Sequence, residues 1–304
     1  MMIKILKFIF KNQFKASKSL DKSAGFSLVE LLIALAMSSI IITLLLQFMI
    51  RVINTDSGEE IKITSEQEIQ IALDYISRDL QQAIYIYDAA GINAIKDQLR
   101  YPDDDTKTPI LVFWKREISD NNSAGEDNSS LVVYYLDNSS STIWSKAARI
   151  SRWQIKKDDP GFAPFNIVKY NTVEEAMNNW EKSGNYSSGN TADVLIDYVD
   201  QTTPPLVPTI PPTPPPATCP ADTKTPPITW SKITPSNDMT GFYACVDKAN
   251  TTAKVFIRGN ALARRERDPD KIKYENDEND ENDKKRKSYF PTASAIVQGA
   301  KSGY

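Results

Sequence analysis

The sequence predicts an α+β fold, with one long N-terminal helix packed on an antiparallel β-sheet head that carries irregular insertions. Three observations predict it. An unbroken apolar run from Phe26 to Ile50 passes into a polar stretch that keeps helical spacing. Short segments rich in Val, Ile, Tyr and Trp follow, bounded by Asn-, Ser- and Asp-rich turns. Late in the chain, proline and charge concentrate in two tracts that interrupt the apolar segments.

Residues 1–25 carry six lysines (Lys4, Lys7, Lys11, Lys15, Lys18 and Lys22) against one acid, Asp21. That bias keeps a leader on the cytoplasmic side and sends the following chain across the membrane. The run 26–50 forms about 37 Å of helix at 1.5 Å per residue, enough to span a bilayer. It is too long for the apolar region of an ordinary secretory signal, and no A-x-A-like cleavage site follows it at once. Charge instead changes abruptly before it, at Ala24-Gly25. Within it stands one ionisable side chain, Glu30. A carboxylate at the bilayer centre costs about 2.5–3.5 kcal/mol on insertion scales, so something must offset it.

An amphipathic helical extension is expected over 51–90. Ile69, Leu73, Ile76, Leu80 and Ile84 recur at three or four residues and form one stripe. Asp74 and Arg78 are an opposite-sign i,i+4 pair. Gly58 is expected to loosen the helix, and Gly91 to stop it after Tyr85-Ile86-Tyr87.

The head is expected over 91–304. Ile110–Trp114 and Leu131–Leu136 read as antiparallel strand neighbours across a polar loop. A strand over 143–155 holds Trp144, Ile150, Trp153 and Ile155 in imperfect alternation. Val173–Trp180 suits a short helix, and Val194–Val199 a short strand. Eleven of the eighteen prolines fall in the segment 202–227, which favours extended polyproline II and reads as a stiff loop or linker. Phe242–Val246 and Val255–Arg258 read as two more strands. The segment 264–287 is a charged insertion with the composition of disorder, containing Glu275-Asn276-Asp277 three times over and then Lys284–Lys287. Its acids lack the central glycine and terminal glutamate of a calcium-binding EF-hand loop. Tyr289–Gln298 supplies a last strand.

Composition narrows the function. The chain has 304 residues and a net charge of −3, or about −8 beyond the leader's +5, a poor balance for sequence-independent nucleic-acid binding. With no histidine, His-based zinc sites and nucleophile–histidine pairs are excluded. No phosphate-binding glycine loop occurs, no cofactor is expected, and the chain reads as a structural subunit and not an enzyme. Cys219 and Cys245 are the only cysteines. Beyond the membrane they would lie in an oxidising compartment where pairing is favoured, the alternative being two free thiols.

The run Gly25-Phe26-Ser27-Leu28-Val29-Glu30-Leu31-Leu32, between a lysine-rich leader and an apolar helix, resembles the class III signal of type IV pilins and type II secretion pseudopilins. The resemblance implies a pilin-like fold, cleavage by prepilin peptidase between Gly25 and Phe26, and N-methylation of Phe26. It also implies an assembly role for Glu30, whose carboxylate would pair with the new N-terminal ammonium of a neighbouring subunit. The implied partners are prepilin peptidase, other pseudopilins or pilins, an assembly platform with its ATPase, and membrane lipid before assembly. Localisation would be single-pass in the inner membrane, with a cytoplasmic N-terminus and a periplasmic head. Size and layout resemble the larger minor pseudopilins, the J-type, and the W-type minor pilins.

Three further stretches are similar to cyanobacterial pseudopilins of hormogonium polysaccharide secretion: Thr64–Asp88, Pro109–Glu117 and Phe290–Gly299. That similarity implies support for polysaccharide export and linked motility. The alternative is a minor pilin acting as a tip adhesin, with Trp114, Trp144, Trp153, Trp180 and Trp230 forming a carbohydrate-stacking face. The competing view of those tryptophans places them in the core.

Overall fold

A computed structural model describes residues 27–117, 129–166, 168–202, 216–221, 228–235, 239–264 and 289–300, with backbone alone at 54–58. The chain divides into two compact units, Met1–Ser57 and Gly58–Tyr304. Helix α1, Leu28–Gln81, supplies residues to both. It contains no proline and a single glycine, Gly58, whose backbone is helical. Its first part, Leu28–Ile53, is 26 residues long with a mean hydropathy of 2.5, and its side chains are exposed. The hydroxyls there are satisfied within the helix. Ser38 donates to Ala34 O at 2.7 Å, Ser39 to Ala36 O at 2.8 Å and Thr43 to Ser39 O at 2.8 Å. These residues therefore bring no unpaired donor to an apolar environment.

In the second unit α1 buries Ile69, Ala72, Leu73, Ile76 and Leu80, the stripe expected from spacing. The helical extension expected to reach residue 90 ends at Gln81. Strand β1, Ala83–Ile86, follows and pairs with β2, setting Tyr85 against Trp114 and Ile86 against Phe113. Ile84 lies four residues after Leu80 and so fits the helical stripe. The run Ile84-Tyr85-Ile86-Tyr87 is β-branched and aromatic, however, and cross-strand partners decide its state. Gly91 does not stop α1. It sits in a second helix, α2 (Ala89–Ile95), where its N–H donates to the Asp88 cap at 2.7 Å. A Cβ there would come within 2.9 Å of the Tyr87 ring. Asp74 and Arg78 are both exposed and make no ion pair with each other.

Strands β2 (Lys107–Arg116), β3 (Ser129–Asp137), β4 (Ala148–Ile155) and β5 (Asp193–Val199) complete an antiparallel sheet in the order β1-β2-β3-β4-β5. Every residue of β3 is buried, because both sheet faces are covered. Tyr134 and Arg152 face α1. On the other side, Trp114 meets Phe162, Phe165 and Trp180 edge-on, and Trp153 meets Tyr186. The short helix α3, Val173–Asn178, adds Met177 to that layer. Coverage on both faces explains why β2 and β3 read as continuous apolar runs and not as alternating strands. The strand expected over 143–155 begins only at Ala148.

The head contains a second sheet, where one was expected. Strands β6 (Ser231–Ile233), β7 (Phe242–Asp247), β8 (Thr252–Arg258) and β9 (Thr292–Gln298) pair antiparallel in that order. Phe242, Ala244, Val246, Val255, Ile257 and Val297 join the same core as the first sheet. The two sheets are tied where β5 ends. Asp200 N–H donates to Arg258 O at 2.9 Å, and the Arg258 Nε to Asp200 Oδ2 at 2.7 Å. Cys219 and Cys245 are joined by a disulfide that fastens the Pro216–Ala221 segment to β7. Most of the proline-rich segment 202–227, and the charged insertion beyond Arg264, lie outside the described residues.

Candidate assembly helix and its anchorage

Glu30 lies in the first turn of α1, opened by the Leu31 N–H bond to Ser27 O at 3.1 Å. An acid there complements the helix dipole. Its side chain is exposed, and among the described residues it makes no ion pair. The expected scissile pair, Gly25 and Phe26, lies outside the described residues. Among the described residues the helix thus presents a carboxylate without an ion-pair partner at the head of an apolar rod, an arrangement suited to receiving a cation from another chain.

The other end of α1 is fixed to the head by a polar cluster that sequence patterning did not reveal. Asp79 accepts hydrogen bonds from Arg152 Nε at 2.7 Å, Tyr134 Oη at 2.7 Å and Lys115 Nζ at 3.0 Å. Burial alone would raise the Asp79 pKa, but the bonds from Arg152, Tyr134 and Lys115 outweigh it and hold the carboxyl below its ordinary value. The same carboxylate lifts the Arg152 pKa against the opposing effect of burial. Beyond β1, Asp88 caps α2 and pairs with Lys248 at 2.7 Å, which also reaches Glu174 at 2.6 Å. The signal for that cap is local, Asp88 immediately before the helical residues Ala89-Ala90-Gly91, whereas the helical extension was expected to run on to residue 90.

Residues between β8 and β9 also hold α1. Arg264 donates through Nε to Ser65 at 3.0 Å, pairs with Glu68 and stacks over the Tyr198 ring at 4.3 Å. Tyr289 bonds Glu66. Between α1 and β5 lies a groove of about 430 Å³ lined by Ile71, Ala72, Ile143, Trp144, Leu195 and Tyr198. Its two acids are committed elsewhere: Glu68 to Arg264, and Asp197 to Ser145 through the backbone N–H at 2.8 Å and the hydroxyl at 2.6 Å.

The tryptophans do not form one exposed face. Trp114, Trp153 and Trp180 are buried and Trp230 is half-buried, while Trp144 is 44% exposed at the groove. Trp114 Nε1 donates to Tyr87 Oη, Trp153 Nε1 to Asn190 and Trp180 Nε1 to Ala163 O, so their polar handles are consumed within the core. Among the described residues no group of three or more His, Cys, Asp or Glu side chains is placed to hold a metal ion.

Comparison with known proteins locates the prokaryotic N-terminal methylation motif at residues 20–46. The matched stretch contains Gly25, Phe26, Glu30 and most of the apolar part of α1. No curated protein and no solved structure matches the chain. Motif and architecture together support a type IV pilin-like protein, with an apolar N-terminal helix followed by antiparallel sheets in an α+β fold. The motif implies processing by prepilin peptidase and assembly with other pilins, and it suggests a structural subunit. With the single apolar helix it is consistent with membrane anchoring.

Proposed function

We propose that this chain is a minor pseudopilin, cleaved between Gly25 and Phe26, N-methylated on Phe26, and built into a short filament that supports polysaccharide export. The observation that carries the reading is Glu30, a lone carboxylate in the first turn of a lipid-length apolar helix, inside the methylation motif. Cleavage exposes an ammonium on each copy, and Glu30 of one subunit meets that ammonium on the next. Transfer of α1 from lipid to a bundle of like helices keeps its apolar side chains in apolar surroundings, so packing and the charge pair set the direction.

Two features support an extracytoplasmic head. The lysine-rich leader favours a cytoplasmic N-terminus, and the Cys219–Cys245 disulfide suits an oxidising compartment. The polysaccharide role rests on the stretches Thr64–Asp88, Pro109–Glu117 and Phe290–Gly299. A tip adhesin is the competing function, and it has in its favour the exposed Trp144 beside the α1–β5 groove.

The deciding experiment is mass spectrometry of the N-terminus of the protein taken from its own membrane. A mature chain starting at N-methylated Phe26, with Gly25→Val accumulating uncut, is the expected result. A native chain starting at Met1, or one starting well downstream of Ile50, refutes it. Deletion that leaves polysaccharide export undiminished refutes the export role alone.

A further inference from the structure

We infer that the Cys219–Cys245 disulfide is a reducible clasp, opened by attack of a dithiol oxidoreductase on Cys219 with Cys245 as the leaving thiolate. The bond lies in the head, and its chemistry is independent of the filament role proposed above. Cys245 stands in β7, whose side chains alternate between two faces. Phe242, Ala244 and Val246 enter the core, so Tyr243, Cys245 and Asp247 point to the other face of the second sheet. The segment 216–221 lies against that face. Besides the disulfide, Tyr243 Oη donates to Thr218 O and Lys232 Nζ to Ala217 O, both at 3.4 Å. Cys245 is fully buried, whereas Cys219 is half-buried with Thr218 exposed beside it. An incoming thiolate therefore meets Cys219 first.

The strand register sets the direction of bond breaking. Cys245 is directly opposite Lys232 on β6 and Lys254 on β8. Opposed residues of an antiparallel pair project from one face, with Cβ atoms about 4.5–5.5 Å apart. An ammonium-bearing side chain thus flanks Cys245 on each side. Lys232 Nζ already reaches the backbone two residues before Cys219, and Lys254 Nζ lies over the Phe256 ring at 4.9 Å. The acid of β7 on this face, Asp247, is two residues further along, and its Oδ2 accepts from Asn250 Nδ2 at 2.6 Å. Cys219 lies outside the strands and has no such flanking pair among the described residues. In the disulfide neither sulfur is charged, so the lysines act only as the bond opens. Cations beside a thiolate stabilise it, and a stabilised thiolate leaves a disulfide faster.

The exchange balances as follows. One thiolate of the reductant bonds to Cys219 Sγ, and the electron pair of the breaking S–S bond passes to Cys245 Sγ. The reductant's second thiol then attacks its own sulfur in the mixed disulfide and releases Cys219 as thiolate. The reductant ends as a disulfide, and the chain gains two electrons and the two protons the reductant's thiols give up. Segment 216–221 loses its covalent tie to β7, which uncovers Cys245 and the Tyr243 ring stacked on Phe256 at 4.3 Å.

The test uses full-length oxidised protein in detergent, with dithiothreitol as reductant at pH 8. Wild type should be reduced without denaturant, about fivefold faster than the Lys232→Met, Lys254→Met double variant. Lys232→Arg with Lys254→Arg should keep the wild-type rate. So should Lys96→Met, which removes an exposed charge elsewhere. A substitution that merely loosened the fold would speed reduction, the opposite direction. The point of attack is read with a thioredoxin whose second active-site cysteine is alanine, which traps the mixed disulfide. The trap should map to Cys219 and leave Cys245 free for iodoacetamide. Reduction that requires denaturant overturns the inference. So do equal rates for wild type and the methionine double variant, an equal loss of rate in Lys96→Met, a trap bonded to Cys245, or no trapped species at all.

Discussion

The Nε of Arg152, in the middle of β4, donates to Oδ2 of Asp79, in the last turn of α1, at 2.7 Å. With Lys115 and Tyr134 on the same carboxylate, this contact locks the end of the long helix to three strands of the first sheet. Both side chains are largely shielded, at 16% and 10% exposure, so removing one leaves a charge poorly solvated. Asp79→Ala is expected to destabilise the head by about 3 kcal/mol, because breaking a buried pair strands its partner. Thermal unfolding should register a fall of about 6–12 °C for a unit of this size. A change under one degree would show that the cluster contributes no net stability.

The same carboxylate makes a pH prediction. Its folded pKa lies below the ordinary 3.8, so near that pH the unfolded chain binds more protons than the folded one. The stability it contributes is complete above the unfolded pKa and drains away as pH falls through the folded value. Asp88, Asp104 and Asp137 are lowered too and share this acid limb. The informative quantity is therefore the difference between wild type and Asp79→Asn. The two stabilities should converge as the solution is acidified below pH 3.8, and a gap that stays constant with pH would refute the linkage.

Much of the fold is legible in the sequence because periodicity reports burial. The stripe Ile69, Leu73, Ile76 and Leu80 is buried, and Ile110–Trp114, Leu131–Leu136 and Phe242–Val246 are strands. What is not legible depends on partners distant in sequence. Ile84 satisfies a helical spacing and a strand pairing equally, and only Trp114 and Phe113 across the ladder settle it. Asp79 looks like any solvent-facing acid of an amphipathic helix, and its role emerges only with Arg152, 73 residues away, in place. Glu30 is the opposite case: its chemistry is local, a charge within an apolar run, so the candidate site could be found before the fold. The division into two sheets was hidden because β6 has three residues and too little pattern to count.

Gly241, just before β7, packs directly on the Asp200 backbone just after β5. A Cβ there would lie 1.8 Å from Asp200 O and 2.8 Å from Asp200 C, and backbone cannot step aside as a side-chain tip can. Gly241→Ala is expected to cost at least about 2 kcal/mol by overpacking, and to loosen the Asp200–Arg258 tie. Gly189→Ala is the control, since nothing lies within 4 Å of its added methyl. It should be neutral, or stabilising by up to about 1 kcal/mol through the unfolded chain. Equal urea midpoints for the two variants would rule out the close-approach argument.

Reduction of the Cys219–Cys245 disulfide frees a loop of 26 residues' separation from β7. In the chain-entropy model that costs about 3 kcal/mol. The Cys219→Ser, Cys245→Ser double variant should melt about 6–12 °C below the oxidised wild type. Reductant should move the wild type toward the variant and leave the variant where it is. Cys245 itself is fully buried on β7, so a reductant-sensitive melt in the variant would point to a cause other than this bond.

The assembly role proposed for Glu30 separates insertion from incorporation. Replacing it with valine removes an insertion cost of up to about 2.5–3.5 kcal/mol, so membrane levels of Glu30→Val should equal or exceed wild type. If the proposed pairing holds, incorporation should move the other way, because the ammonium of the neighbouring subunit would lose its counter-charge. A deficit of only about 1.4 kcal/mol per contact lowers the incorporated fraction about tenfold. Glu30→Gln keeps the shape and hydrogen-bonding capacity while deleting the charge, so it distinguishes ion pairing from packing. Loss of incorporation in both variants, measured by crosslinking α1 to neighbouring subunits in the membrane, is the expected result. Wild-type incorporation of Glu30→Gln would show that a neutral hydrogen bond suffices. Wild-type incorporation of Glu30→Val would remove the carboxylate from assembly altogether and leave the apolar surface of Leu28–Ile53 to drive it alone.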